Sequence, residues 1–145
     1  MTVAEARRLP DMPSDIYPYA VAYLCDKLGN PTDYDEKEFL RTKAVKQPSL
    51  FPEWDLEVKK QKRLGLYLHD RLPDAYLAVE VYSKAQFRKQ APATDVPLGR
   101  AIVGLDKMHL DGADGEKLDG WARLERFPKM GFFDPEGDVR VVVTW

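Results

Sequence analysis

The side chains of this chain best equipped for chemistry are clustered cations, and that chemistry is charge recognition rather than bond-making. Between positions 41 and 63 stand Arg41, Lys43, Lys46, Lys59, Lys60, Lys62 and Arg63 against Glu53, Asp55 and Glu57. Seven basic and three acidic residues give a local charge of +4 in a chain whose net charge is −2. A second group, Lys84, Arg88 and Lys89, surrounds Phe87. Cations grouped around an aromatic suit an anionic lipid surface, where each basic residue contributes about 1 kcal/mol. The competing physical reading is plainer. Charges on an exposed sheet protect it from edge association, and a single surface aromatic is ordinary.

Bond-making constellations are missing from the sequence. His69 and His109 have no His, Cys or Asp partner at a metal-ligand spacing, so no zinc site is expected. Cys25 closes a candidate strand and reads as a small buried residue rather than a nucleophile. Asp111, Asp114 and Glu116 sit in Asp-Gly-Ala-Asp-Gly-Glu, a spacing that does not fit an EF-hand loop. There is no Gly-rich phosphate loop, nucleophile elbow or Ser/His/Asp pattern. Neither an enzyme nor a cofactor is expected.

These side chains need elements to position them. At 145 residues the chain has the length of one domain over positions 1–145, and 44% apolar with 32% charged residues is a globular composition. The net charge of −2 gives no general attraction to nucleic acid. One cysteine cannot form an internal disulfide, which points to a reducing compartment. No run of about 18 apolar residues is present to cross a membrane as a helix, and the start of the chain lacks a signal-peptide pattern. Eleven prolines spread along the chain argue against long helices.

The spacing predicts eight strands, at 2–8, 18–25, 39–47, 53–59, 76–83, 98–105, 120–126 and 138–145. Within 76–83, Leu77, Val79 and Val81 share one face, and Tyr76, Ala78, Glu80 and Tyr82 the other. Val139, Val141, Val143 and Trp145 share a face, as do Arg41, Lys43 and Val45. Trp54, Trp121 and Trp145 are expected to pack in the core or on a sheet. Residues 106–119 are polar and Gly/Asp-rich and read as a loop. Residues 60–75 read as a short extra strand or a helical turn. Short strands with turns between them make an all-β, antiparallel, eight-stranded sandwich.

The order of the motifs resembles a C2 domain. Glu5-Ala6-Arg7-Arg8-Leu9-Pro10 looks like that family's first strand and exit. Tyr17-Pro18-Tyr19 and its strand are similar to the Asp-Pro-Tyr strand. Arg41-Thr42-Lys43-Ala44-Val45-Lys46, then Phe51-Pro52-Glu53-Trp54, looks like the basic strand and the Asn-Pro-x-Trp turn. Leu77 to Tyr82 and Pro97-Leu98-Gly99-Arg100-Ala101 resemble the strands flanking the third loop, and Gly120-Trp121 the Gly-Trp strand. The ends look like the permuted, phospholipase-like (type II) arrangement.

The resemblance implies where calcium ligands would fall. Asp11 and Asp15 lie in the first loop, but the Asp-Pro-Tyr aspartate falls on Tyr17. The third-loop Asp-x-Asp pair falls on Ser83 and Ala85, and the last aspartate on Val96, with Asp95 adjacent. Asp11, Asp15 and Asp95 are thus at most three candidates, and a hard cation needs more oxygens than they offer. The resemblance further implies a basic face over 41–63 that binds phosphoinositides. The expectation is a calcium-independent, cytoplasmic targeting module, peripheral at anionic membranes through loop 84–89 and the 41–63 face and cut from a larger protein. The alternative is a scaffold domain that binds a protein partner through Tyr67, Tyr76 and the 60–75 segment.

Overall fold

The computed structural model describes residues 2–10, 16–31, 40–47, 49–54, 76–85, 95–104, 117–131 and 134–144. Among them are seven strands: β1 (Thr2–Arg7), β2 (Pro18–Cys25), β3 (Leu40–Arg41), β4 (Tyr76–Ser83), β5 (Val96–Gly104), β6 (Lys117–Arg123) and β7 (Asp138–Thr144). They form a three-stranded sheet in the order β1-β7-β6 and a four-stranded sheet in the order β3-β2-β4-β5. Every pairing is antiparallel. The sheets enclose one core, with Val3, Ala6, Leu77, Val79, Val81, Leu98, Ala101, Leu124, Val139 and Val141 at its centre.

The expected alternation in β4 holds. Leu77, Val79 and Val81 enter this core, while Ala78 turns outward among Val21, Tyr23 and Cys25, with Tyr76 and Tyr82 beside them. β4 is therefore buried on both faces, with Glu80 as the one charged side chain of its outer face. Cys25 is buried in the outer cluster, and burial pushes its thiol up to about 12, so it is a packing residue.

β1 ends at Arg7 and β5 begins at Val96, one and two residues from the expected bounds, and three expected strands differ more. Lys117–Asp119, read as loop, pair with Thr144–Val142 as the start of β6. A polar stretch becomes strand there because pairing with β-branched neighbours overrides local composition. At the other end β6 stops at Arg123; Leu124 bonds to the carbonyl of Gly137, and Glu125 crosses to pair with Arg100 of the other sheet. Of 39–47, only Leu40–Arg41 pair regularly with β2. The chain then leaves the pleat, so Arg41 stands opposite Val21 on the outer face while Val45 packs on the main core. Arg41, Lys43 and Val45 do not share a face. Of 53–59, Glu53 bridges Glu5 and Trp54 is buried, and the remainder lies outside the described residues.

Gly137 launches β7 and closes the sandwich end. Its φ is +102°, and a Cβ there would sit 2.5 Å from the carbonyl oxygen of Arg7. Substitution by Ala adds left-handed strain to a backbone clash, so Gly137→Ala is expected to cost about 1–3 kcal/mol. Urea unfolding checks this, and an unchanged midpoint would contradict it.

Candidate functional site

One end of the sandwich gathers chain segments from both sheets. β2 begins there at Pro18, β4 ends at Ser83 and β5 begins at Val96, in one register. The Lys84 amide donates to the carbonyl of Tyr17 at 3.0 Å, and the Tyr17 amide donates to Ser83 Oγ at 3.1 Å. On the other side of β2, the Val45 amide donates to Pro18 O at 3.2 Å and the Ser49 amide to Ile16 O at 3.2 Å. The segment then crosses to β1, where Leu9 donates to Leu50 O at 3.1 Å and Ala6 to Pro52 O at 3.0 Å. Residues 45–52 thus strap the end of the sandwich.

This strap joins what the sequence presents as two separate basic groups. Lys84, at the start of the third loop, and Lys46, on the strap, flank the Tyr17–Pro18 step from opposite sides. Both are exposed, as are Lys43 and Arg41. Arg41 projects on the outer face near Tyr19, whose ionisation its charge favours. Lys59, Lys60, Lys62, Arg63, Phe87, Arg88 and Lys89 lie outside the described residues, as do Asp11 and Asp15.

Asp95 is described, and its carboxylate is engaged. Tyr19 donates its hydroxyl to Oδ2, and the Ala85 amide donates to Oδ1 at 2.7 Å. The carboxylate therefore ties the two stems of the third loop to β2. Among the described residues no group of three or more His, Cys, Asp or Glu side chains is placed to hold a metal ion.

A tyrosine network backs this end. Tyr19 stacks on Tyr82, with ring centroids 5.5 Å apart, and Tyr82 meets Phe127 edge-on. Tyr23 and Tyr82 both donate to Glu80, a carboxylate only 5% exposed, with Lys129 Nζ 3.9 Å away. Burial, then hydrogen bonding to Glu80, pushes the Tyr23 and Tyr82 phenols well above the usual range; burial and Asp95 do the same to Tyr19. A raised folded pKa means stability that is intact below the unfolded value, about 10, and lost as pH rises toward the folded value. Urea midpoints are therefore expected to hold to about pH 9 and fall progressively above pH 10. A flat profile to pH 11.5 would contradict the network.

Sequence reasoning missed Phe51, whose side chain is 61% exposed. Its amide donates to Ser49 Oγ at 3.0 Å in a tight turn. The signal was present in the alternation: Pro52 and Trp54 are buried, which turns Phe51 and Glu53 outward. Trp54 is 2% exposed, and its indole N–H donates to Pro18 O at 3.1 Å. Trp121 stands on the outer face of the other sheet, with the Arg7 guanidinium 3.9 Å over its ring. Trp54 takes the expected core position, while Trp121 is 39% exposed and is covered on one face by Arg7. Trp145 and Tyr67 lie outside the described residues, and Tyr76 packs in the outer cluster.

The family model of the C2 domain matches residues 1–124. No curated protein matches the sequence. Among solved structures, the first (A) C2 domain of plant Extended Synaptotagmin 1 is similar at 17% identity, covering 97% of this chain and 86% of that one, with a TM-score of 0.60. A structure of CC2D1B, described as coordinating ESCRT-III activity in mitotic reformation of the nuclear envelope, is similar at 14% identity over 98% of this chain and 52% of that one, with a TM-score of 0.61. Human GIVD cytosolic phospholipase A2 is similar at 17% identity and a TM-score of 0.54 over 97% of this chain, but only 16% of that enzyme. At these identities the likeness is one of fold.

Proposed function

The chain belongs to the C2 domain family, whose members are non-catalytic modules for membrane, lipid or protein binding, and from that premise we propose a calcium-independent module for peripheral binding to anionic membranes. The observation that carries this reading is that exposed Lys84 and exposed Lys46 sit at the two flanks of the start of β2, where the Lys84 amide bonds Tyr17 and the Val45 amide, next to Lys46, bonds Pro18, with Lys43 and Arg41 on the same segment as Lys46. Calcium independence is supported by the same end. Asp95 spends both oxygens on the Tyr19 hydroxyl and the Ala85 amide, and the family's third-loop acid positions fall on Ser83, Ala85 and Val96. A hard cation needs more free oxygens than that.

The proposed contact is supplied by exposed Arg41, Lys43, Lys46 and Lys84, together with Lys59, Lys60, Lys62, Arg63, Phe87, Arg88 and Lys89, which lie outside the described residues. The proposed setting is the cytoplasmic side of a membrane. Among the described residues no helix is long and apolar enough to cross one.

Vesicles of phosphatidylcholine with a rising fraction of phosphatidylserine test this reading. Binding is expected to rise with the anionic fraction and to fall steeply in 1 M salt, where the screening length drops to about 3 Å. Equal binding to neutral vesicles would contradict it. A protein that ignores both kinds of vesicle would favour a protein partner.

A further inference from the structure

Building on the membrane-binding reading, we infer that Phe51 is the apolar anchor of the bound state and that the domain docks end-on, along the 45–52 strap. Phe51 is a large apolar side chain held out in solvent, 61% exposed, by a turn that gives it little freedom to fold back. The residues on either side of it explain the direction. Leu50 packs against the main core and Pro52 is buried, so the backbone is pinned and Phe51 must point outward. The amides of Leu9 and Ala6, bonded to Leu50 and Pro52, fix the strap to β1 on both sides of it.

Its neighbours are cationic. The same two bonds bracket Arg8, which is exposed and turns the chain out of β1 with a φ of 55°. Lys46 lies on the strap itself, and Lys84 lies across the Tyr17–Pro18 step. Arg8, Lys46 and Lys84 have no ion-pair partner among the described residues. Glu53 is the one exposed acid between 42 and 54 among the described residues. An exposed aromatic on a strap whose exposed cations have no ion-pair partner among the described residues matches a surface that is anionic outside and apolar a few ångströms in, which is an anionic bilayer. A protein groove with the same chemistry would need an acidic rim around an apolar pocket, and the end-on spread of these cations across both sheets matches the flat bilayer better.

The test uses the full chain and phosphatidylcholine/phosphatidylserine vesicles in chelator. Burial of a phenylalanine side chain is worth enough that Phe51→Ala is expected to bind roughly ten- to hundredfold more weakly. Because Phe51 is exposed, its thermal midpoint should stay near that of the wild type. Phe51→Trp supplies a second readout: its fluorescence is expected to be quenched by brominated acyl chains beyond the wild-type level, which Trp54, Trp121 and Trp145 set. With the wild type bound, equal binding by Phe51→Ala, or no added quenching in Phe51→Trp, overturns the inference and leaves the membrane reading standing. A wild type that fails to bind anionic vesicles overturns that reading and the inference with it.

Discussion

Trp54→Ala is expected to be the most destabilising single substitution among the described residues, at about 3–5 kcal/mol. Three links support that figure. The side chain is 2% exposed and belongs to the main core, so truncation opens a cavity there. Its indole N–H donates to the carbonyl of Pro18, where β2 begins, and the loss removes one of the two hydrogen bonds that carbonyl accepts, leaving only that from the Val45 amide. It also follows directly on the strap that holds Lys46 beside β2, so the damage extends to the proposed binding end. Against a typical total stability of about 5–15 kcal/mol, such a loss leaves a fold close to its threshold. Trp54→Phe separates the contributions, since it keeps much of the apolar bulk and removes the donor, whose hydrogen bond is worth about 0.5–1.5 kcal/mol. Urea unfolding measures both, and a Trp54→Ala cost below about 1 kcal/mol would contradict the packing described here.

The second large effect falls on binding. Neutralising Arg41, Lys43, Lys46 and Lys84 together to Gln removes four cations worth about 1 kcal/mol each near an anionic surface, about 4 kcal/mol and roughly a thousandfold in partitioning. All four side chains are exposed, so the thermal midpoint should change little. The quadruple variant should also lose most of the salt dependence of the wild type, because those charges are the ones screened. Undiminished vesicle binding by this variant would remove the described cations from the account and place the contact elsewhere on the chain.

The strongest strands were legible before any coordinates. Those expected at 18–25 and 76–83 coincide with β2 and β4, because an apolar run bounded by Pro18 and Tyr17 on one side, and by Ser83 and Lys84 on the other, leaves little freedom in placing the ends. The start of β6 was not legible. Lys117, Leu118 and Asp119 are strand because Val142 and its neighbours lie opposite, a contact more than twenty residues away in sequence. β3 failed for a related reason: Thr42 is buried and its hydroxyl accepts from the Ala20 amide, which pulls the chain out of the pleat that alternation assumed. Of the strand expected at 53–59, the Glu5–Glu53 bridge is described, and most of its span lies outside the described residues.

The candidate site divides in the same way. Composition was enough to pick out Arg41, Lys43, Lys46 and Lys84 as cations. It could not place Lys46 and Lys84 at the two flanks of the start of β2, because that depends on the backbone bonds of Val45 to Pro18 and of Lys84 to Tyr17. The occupation of Asp95 by Tyr19 was hidden too, since 76 positions separate them. Phe51 was within reach of sequence reasoning: once Trp54 is assigned to the core, two-residue alternation turns Phe51 outward.

Co-sedimentation of the intact protein with phosphatidylserine-containing vesicles, first in chelator and then in calcium, tests the central claim most directly. The expected result is binding in chelator, released by high salt and not strengthened by calcium. Binding that appears only in calcium would contradict it, and would require ligands beyond the engaged Asp95 carboxylate.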